Sequence, residues 1–371
     1  MKIRLFFEHF PAFNQSYIAD MVELMAKDNS LELEVNTLKE SDYASTVNIK
    51  VSPKYYIKRF YERFNAFVSK TYTNLSFWEI QWLKNNIDVV HLHHSFLFKY
   101  FGGISQMDSR NRPKLVVTLR GSDTYLRPWY DERWLNFYKH NSGRIDAFVV
   151  MSQHQKSYLQ KWGVSEDKIN VIPASIRAIS SEPKQLSTDV IKIVSSFRMT
   201  WEKNIEGNLR VIRHLIDKGH KVSYDIYGRG HDIGEVYFMI DKYNLHDAIS
   251  IKGKVENDEY LKLLKDYDFY LQLSKSESLS VSTIEAQSFG LPVIVSDSGG
   301  MPETILEGNS GFAVPFTKTE KAAERLLKLI EDRALYAQFS KAAIQNVNEK
   351  FTNQIEVDAY VDLYKRLTEN V

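Results

Sequence analysis

Glu277 and Glu285 are the residues whose type and spacing most directly suggest chemistry. They bracket the small residues of "ESLSVSTIEAQSFGLP", which ends in a Gly-Leu-Pro turn before an apolar run. The preceding "FYLQLS" reads as a strand ending at Ser274, and Ser280 or Ser282 can cap a helix that follows. Glu285 then falls about one turn inside that helix. A helix start carries unpaired amides and roughly half a positive charge, which suits phosphate. A carboxylate repels phosphate but accepts hydrogen bonds from vicinal hydroxyls. Amides flanked by two carboxylates therefore fit a ligand with phosphates in the middle and a sugar at each end, as in a nucleotide sugar. The same spacing fits a solvated helix face with a capping acid, and spacing alone leaves both readings open.

The rest of the chain must supply the elements that hold these groups. Its 371 residues suggest two or three domains, with 43% apolar and 26% charged residues. A net charge of +1 speaks against a globally basic nucleic-acid binder. Cysteine is absent, which excludes disulfides, thiolate zinc sites and cysteine nucleophiles. "MKIRLFFEHF" lacks the pattern of a signal peptide, and no run of 18 apolar residues occurs. The expectation is a cytoplasmic protein.

Short apolar runs alternate with helical patterns, the signature of βα units around parallel sheets. Candidate strands are "KIRLFF", "LEVNTL", "VVHLHH", "KLVVTLR", "AFVVMS" and "INVIPA", then "IKIVSSF", "VSYDIYG", "ISIKG", "FYLQLS", "PVIVSDS" and "GFAVP". The polar stretch near 177–190 suits a linker. Two α/β domains are expected, 1–177 and 190–352. Ligands of such sheets bind beyond the carboxyl ends of the strands.

Three ordered motifs carry a family resemblance. Glu277 and Glu285 are separated by seven residues and followed by Ala286, Gly290, Pro292 and Val293. Gly299, Gly300, Pro302 and Glu303 form a Gly-Gly-x-Pro-Glu run, and Arg198 precedes Lys203 by the spacing Arg, four residues, Lys. From about Ser195 to Pro315 the chain resembles the C-terminal domain of the family-four retaining glycosyltransferases. The resemblance implies the α/β GT-B fold, with two Rossmann-like domains facing each other across a cleft. It implies that Glu285 binds ribose hydroxyls, that Glu277 faces the transferred sugar, and that Arg198 and Lys203 grip the diphosphate. Ser278, Leu279, Ser280 and Val281 would offer donor-binding positions at the helix start, although the family often has Gly-Phe-Gly after the first glutamate. Gly253 and Val255 would lie against the base, with Gly228 in the neighbouring Gly-x-Gly loop. About three negative charges on the leaving diphosphate would meet two side-chain cations and the helix end without a metal or cofactor. The resemblance also implies that the diphosphate itself helps deprotonate the acceptor hydroxyl.

The first domain would bind the acceptor, with the helix 353–371 packing back onto it. In "DVVHLHHSF", His93 resembles the family's histidine near the transferred sugar. In "TLRGSDTYL", Gly121 and Asp123 match a family motif in which Arg120 replaces histidine. An arginine there adds charge to the diphosphate site, meets an acidic acceptor, or is structural. The opening "FPAFNQSYIADMVELM", with Asn14 as a candidate cleft residue, resembles members that build surface polysaccharides. "VIPASI" departs from the usual Ile-Pro-Asn-Gly, so Ala174 and Ser175 change the hinge entry.

Two motifs have weaker standing. Asp266 and Asp268 in "DYD" imitate a metal motif but precede a strand, and "GRGHDIG" imitates a dinucleotide fingerprint whose next strand ends "KGK" without the needed acid. Residues 53–72 contain five basic residues, one acid and seven aromatics, with Ile57, Phe60, Phe64 and Val68 on one helical face. That face suits either the core or an anionic membrane surface.

The expected protein is therefore a retaining transferase moving sugar from a nucleotide sugar, UDP favoured, to a glycan or lipid-linked glycan in bacterial surface polysaccharide synthesis. It would be cytoplasmic or peripheral on the inner face of the plasma membrane. A catalytically inactive nucleotide-sugar-binding subunit is the alternative, and a nicotinamide-dependent oxidoreductase a distant third.

Overall fold

The computed structural model describes residues 1–11, 16–40, 45–187 and 189–369. It divides into two units, Met1–Ala174 with Asn353–Val371, and Ser175–Thr352. Asn14 lies outside the described residues.

The first unit holds β1 (Lys2–Phe7), β2 (Glu32–Thr37), β3 (Ile49–Val51), β4 (Val89–Leu92), β5 (Lys114–Thr118), β6 (Ala147–Val150) and β7 (Ile169–Val171). They form one parallel sheet in the order β3-β2-β1-β4-β5-β6-β7. The second unit holds β8 (Ile191–Ser196), β9 (Val222–Tyr227), β10 (Ile249–Gly253), β11 (Phe269–Gln272), β12 (Val293–Ser296) and β13 (Gly311–Val314). They too are parallel, in the order β10-β9-β8-β11-β12-β13. Both units are Rossmann-like. Strand order reverses between β1 and β4, and again between β8 and β11, and crevices for ligands open at such points.

The strands form where they do because both faces of a parallel sheet are covered. β4, β6, β11 and β12 are buried at every residue. In the second unit, Leu209, Ile212 and Leu215 of helix Ile205–Asp217 pack on one face with Leu326 and Leu329. Ala286 and Phe289 cover the other face beside Val293 and Val295. In the first unit Phe6, Trp82, Leu92 and Phe148 share one core.

The stretch expected as a linker is strapped to the second unit. Leu186 is buried, and the Lys184 amide donates to Ser340 Oγ at 2.7 Å. Asp268, at the foot of β11, accepts from the Ser187 amide (3.1 Å), Ser187 Oγ (2.8 Å) and the Lys192 amide (2.8 Å). Its carboxylate is thus spent on fastening backbone, as a strand-start acid rather than a metal ligand. In the first unit, helix Asn353–Glu369 packs back on the sheet, with Tyr364 Oη 2.7 Å from His91 Nδ1.

One alternative from the sequence is excluded. The face of Ile57, Phe60, Phe64 and Val68 does not enter the core: all four side chains are exposed on helix Tyr55–Val68.

Asp268→Ala should lower stability by about 2 kcal/mol, because it removes a buried charged acceptor on which the part-buried Ser187 and Lys192 amides depend. Urea unfolding followed by circular dichroism measures this. Added magnesium or manganese should leave the wild-type curve unmoved, and an unchanged midpoint in the variant would contradict the assignment.

Candidate active site

The loops after β8 and β11 flank the switch point of the second unit and carry the charged candidates. Lys203 ends the short turn Trp201–Lys203, and Asn204 follows in a left-handed conformation (φ 49°) before helix Ile205–Asp217. Lys203 Nζ lies 2.5 Å from Glu277 Oε2, with side chains only 10% and 18% exposed. Arg198 is exposed on the same β8 loop.

Hydrogen bonds stitch these loops together. Asn208 Oδ1 accepts from the Leu273 amide at 2.9 Å, and its Nδ2 donates to the carbonyls of Lys203 and Asn204, each at 3.3 Å. The Lys275 amide donates to the Glu202 carbonyl at 2.7 Å. The Gly300 amide donates to the Glu277 carbonyl at 2.8 Å. Gly299 (φ 61°) lies so close that a Cβ there would sit 2.1 Å from that carbonyl oxygen. The Gly-Gly run therefore clamps the backbone of Glu277.

Ser280 caps helix Val281–Ser288, its Oγ accepting from the Thr283 amide at 3.3 Å. Ser280 Oγ also donates to Gln272 Oε1 (2.9 Å), which accepts from Tyr270 Oη at 2.8 Å; that hydroxyl lies 2.7 Å from Ser282 Oγ. This buried network fixes the helix start although glycine is absent from Ser278-Leu279-Ser280. Leu279 is buried, while Ser278 and Val281 are half-buried.

Glu285 is buried within the same helix, and Asn257 Nδ2 donates to its Oε1 at 2.8 Å. Burial raises its carboxyl to about 7, with the Asn257 bond opposing the rise. Two hydroxyl donors arriving from a ligand would favour the ionised form.

The glycines near β9 and β10 allow close loop packing. A Cβ on Gly228 (φ 128°) would meet the Phe197 carbonyl oxygen at 1.9 Å, and one on Gly230 would meet that of Met199 at 1.9 Å. The Gly228 amide donates to the Gly253 carbonyl at 2.7 Å. "GRGHDIG" thus presses against the loop that carries Arg198. Val255 is half-buried just before helix Asn257–Leu263.

In the first unit, His93 and Arg120 follow β4 and β5. His93 is buried and stacked on Phe7, with ring centres 4.3 Å apart and planes 13° apart. Arg120 Nη2 lies 3.2 Å from His93 Nδ1, and its guanidinium lies over the Tyr17 ring at 5.8 Å. A guanidinium only donates, so Nδ1 must accept. Burial, reinforced by His91 and Arg120, pushes the His93 pKa well below the ordinary value. A neutral ring whose Nδ1 accepts carries its proton on Nε2, and Nε2 is buried with no hydrogen-bond partner among the described residues. His93 is therefore a neutral hydrogen-bond donor. His91 differs: its ring nitrogens engage Tyr364 Oη at 2.7 Å and Thr118 Oγ1 at 2.6 Å. Gly121 (φ 122°) and Asp123 close a turn, Asp123 Oδ1 accepting from the amides of Gly121 (3.0 Å) and Arg120 (3.2 Å).

Asn208, Asn257 and the Tyr270–Gln272 pair were not visible as site residues in the sequence. Each acts through a partner remote in the chain, and a lone Asn or Gln in a helix or strand carries no signal of that. No group of three or more potential metal ligands gathers among the described residues. A cavity of about 740 Å³ in the first unit, lined by Ile172, Asp362 and Arg366 among others, contains none of the candidates.

Two parallel, doubly wound units, the second with paired acids at a helix start, define the GT-B class. Residues 177–346 match the family model "Glycosyl transferases group 1", and residues 30–177 match "Glycosyltransferase Family 4". The chain belongs to these GT-B glycosyltransferases of the family-four type. It is 26% identical over 227 residues to poly(ribitol-phosphate) alpha-N-acetylglucosaminyltransferase of Staphylococcus aureus (strain COL), covering 60% of this chain and 45% of that one. It is 26% identical over 159 residues to the putative colanic acid biosynthesis glycosyltransferase WcaL of Escherichia coli (strain K12), covering 42% and 39%. The aligned stretches span less than half the length of these relatives. The solved structure of Anabaena Alr3699/HepE in complex with UDP shares the fold at TM-score 0.77 and 13% identity, covering 98% of this chain and 99% of that one.

Two outcomes follow from the buried groups. The folded chain keeps the Glu285 proton up to about pH 7, whereas the unfolded chain releases it near the ordinary value of 4.5. The stability this provides is present below the unfolded value and is lost as pH rises through about 7, by at most roughly 3 kcal/mol. Thermal unfolding across that range should show Glu285→Gln gaining on the wild type as pH rises; a constant gap would refute it. For His93, nitrogen-detected NMR should show a protonated-type Nε2 and an unprotonated Nδ1 from about pH 5.5 to about pH 8. Arg120→Met should shift the Nδ1 resonance, and a wild-type proton on Nδ1 would contradict the tautomer.

Proposed function

We propose that this protein transfers a sugar from a nucleotide-diphosphate sugar, UDP favoured, to a glycan or lipid-linked glycan, with retention at the anomeric carbon and without a metal. Bacterial surface polysaccharide synthesis is the setting, in support of which two relatives are named for poly(ribitol-phosphate) and colanic acid. A solved neighbour holds UDP, which supports that donor. A lipid-linked acceptor would make the enzyme peripheral on the inner face of the plasma membrane. The first unit takes the acceptor.

The observation that carries this reading is the pairing of Lys203 with Glu277 beside the start of the helix that contains Glu285. The sugar–phosphate C–O bond breaks with its electron pair passing to the phosphate oxygen. Lys203, Arg198 and the helix amides stabilise the charge that builds there. Lys203 has three N–H donors, so it can bind phosphate while keeping Glu277. The second oxygen of Glu277 accepts from sugar hydroxyls, and Glu285 accepts from the ribose. The acceptor hydroxyl attacks the anomeric carbon on the face the phosphate leaves, and its proton passes to the departing diphosphate.

Thermal shift with a panel of nucleotide sugars should give the largest rise with a UDP-sugar, since ligand binding stabilises the folded state. Glu285→Ala should abolish that rise. Lys203→Ala should lower turnover about 100- to 1000-fold, the usual effect of removing one preorganised charge-stabilising group. Nucleotide binding that survives unchanged in Glu285→Ala would remove the assignment.

A further inference from the structure

The helix Tyr55–Val68 is turned inside out. Its buried residue is Asn65, while Phe60 is 73% and Phe67 90% exposed. At helical spacing Tyr56, Ile57, Phe60, Phe64, Phe67 and Val68 share one outward face. All six are exposed. The polar side does the packing instead. Glu62 Oε1 accepts from the Phe77 amide at 3.0 Å, and the Tyr61 ring meets that of Phe77 edge-on at 5.2 Å.

A contiguous aromatic face left in water marks a surface that something covers. The flanking charge indicates what. Lys54, Arg59, Arg63 and Lys70 are exposed around it, and the acid nearby, Glu62, is already paired with Arg59 at 3.1 Å. Protein interfaces are depleted in lysine at their centres. An aromatic face rimmed by excess positive charge matches instead a boundary that is apolar within and anionic at its edge. No helix among the described residues is long and apolar enough to cross a membrane, and a helix of 14 residues is suited to lying along one.

We propose that helix Tyr55–Val68 is an interfacial anchor that lies along an anionic phospholipid bilayer, Phe60, Phe64 and Phe67 entering the acyl boundary while Lys54 and Arg63 meet lipid phosphates. The anchor stands independently of the transferase reading, because binding is measured without donor or acceptor.

The test is co-sedimentation of the full chain with vesicles of phosphatidylcholine alone or mixed with phosphatidylglycerol. Binding to the mixed vesicles should exceed binding to the neutral ones and weaken as salt is raised. The triple variant Phe60→Ser/Phe64→Ser/Phe67→Ser should lose at least about tenfold in binding, and Lys54→Gln/Arg63→Gln should lose the preference for the anionic lipid. Neither variant should lower the melting temperature, since these side chains are exposed. Failure of the wild type to bind mixed vesicles, or equal binding by the triple variant, would overturn the proposal. A dimer in light scattering that the triple variant dissolves would also overturn it, by assigning the face to a second copy.

Discussion

The ion pair of Lys203 and Glu277 joins the two loops that carry the second unit's charged candidates. One loop leaves β8 and the other leaves β11, the strands between which the order reverses. Two nearly dry charges lose hydration, and their attraction recovers that loss only where geometry and further hydrogen bonds are good. Here the geometry is imposed from outside the pair. Asn208 ties the Lys203 backbone to the end of β11, and Gly300 holds the Glu277 carbonyl. The pair is held in place before any ligand arrives, so its charges need little reorganisation to act on one.

The two units position polar groups by different means. The second uses opposite charges and a capped helix start. The first uses a fixed tautomer: a permanently cationic arginine in place of a family histidine makes its neighbour His93 a donor at Nε2. A neutral donor suits a hydroxyl or phosphoryl oxygen and cannot take a proton at that atom.

The parallel sheets were legible in the sequence because buried parallel strands are apolar on both faces. All twelve expected strands are present. β3 escaped because it is three residues long and largely exposed at the sheet edge. The Glu-Glu spacing pointed to the helix start, and Ser280 rather than Ser282 caps it. Other parts were beyond a linear reading. Asn257 reaches Glu285 across 28 residues of chain, and Gly228 is required by a carbonyl on a different strand loop. The helix 55–68 shows the limit most clearly. Periodicity identifies an amphipathic face without saying which side packs, and here Glu62, Tyr61 and Asn65 decide it.

Glu285 links burial to ligand chemistry. A largely buried carboxyl with an amide donor gains from any further donor that reaches it, and gains most in its ionised form. Ribose hydroxyls would be such donors, so binding them near neutral pH would release a proton. The cost of burying an acid is thereby placed in the unliganded state. A polar but uncharged residue at this position would make the free protein more stable and the ligand less tightly held. Under the proposed function, the destabilised acid is better understood through the ligand it would bind than through the packing of the helix that carries it.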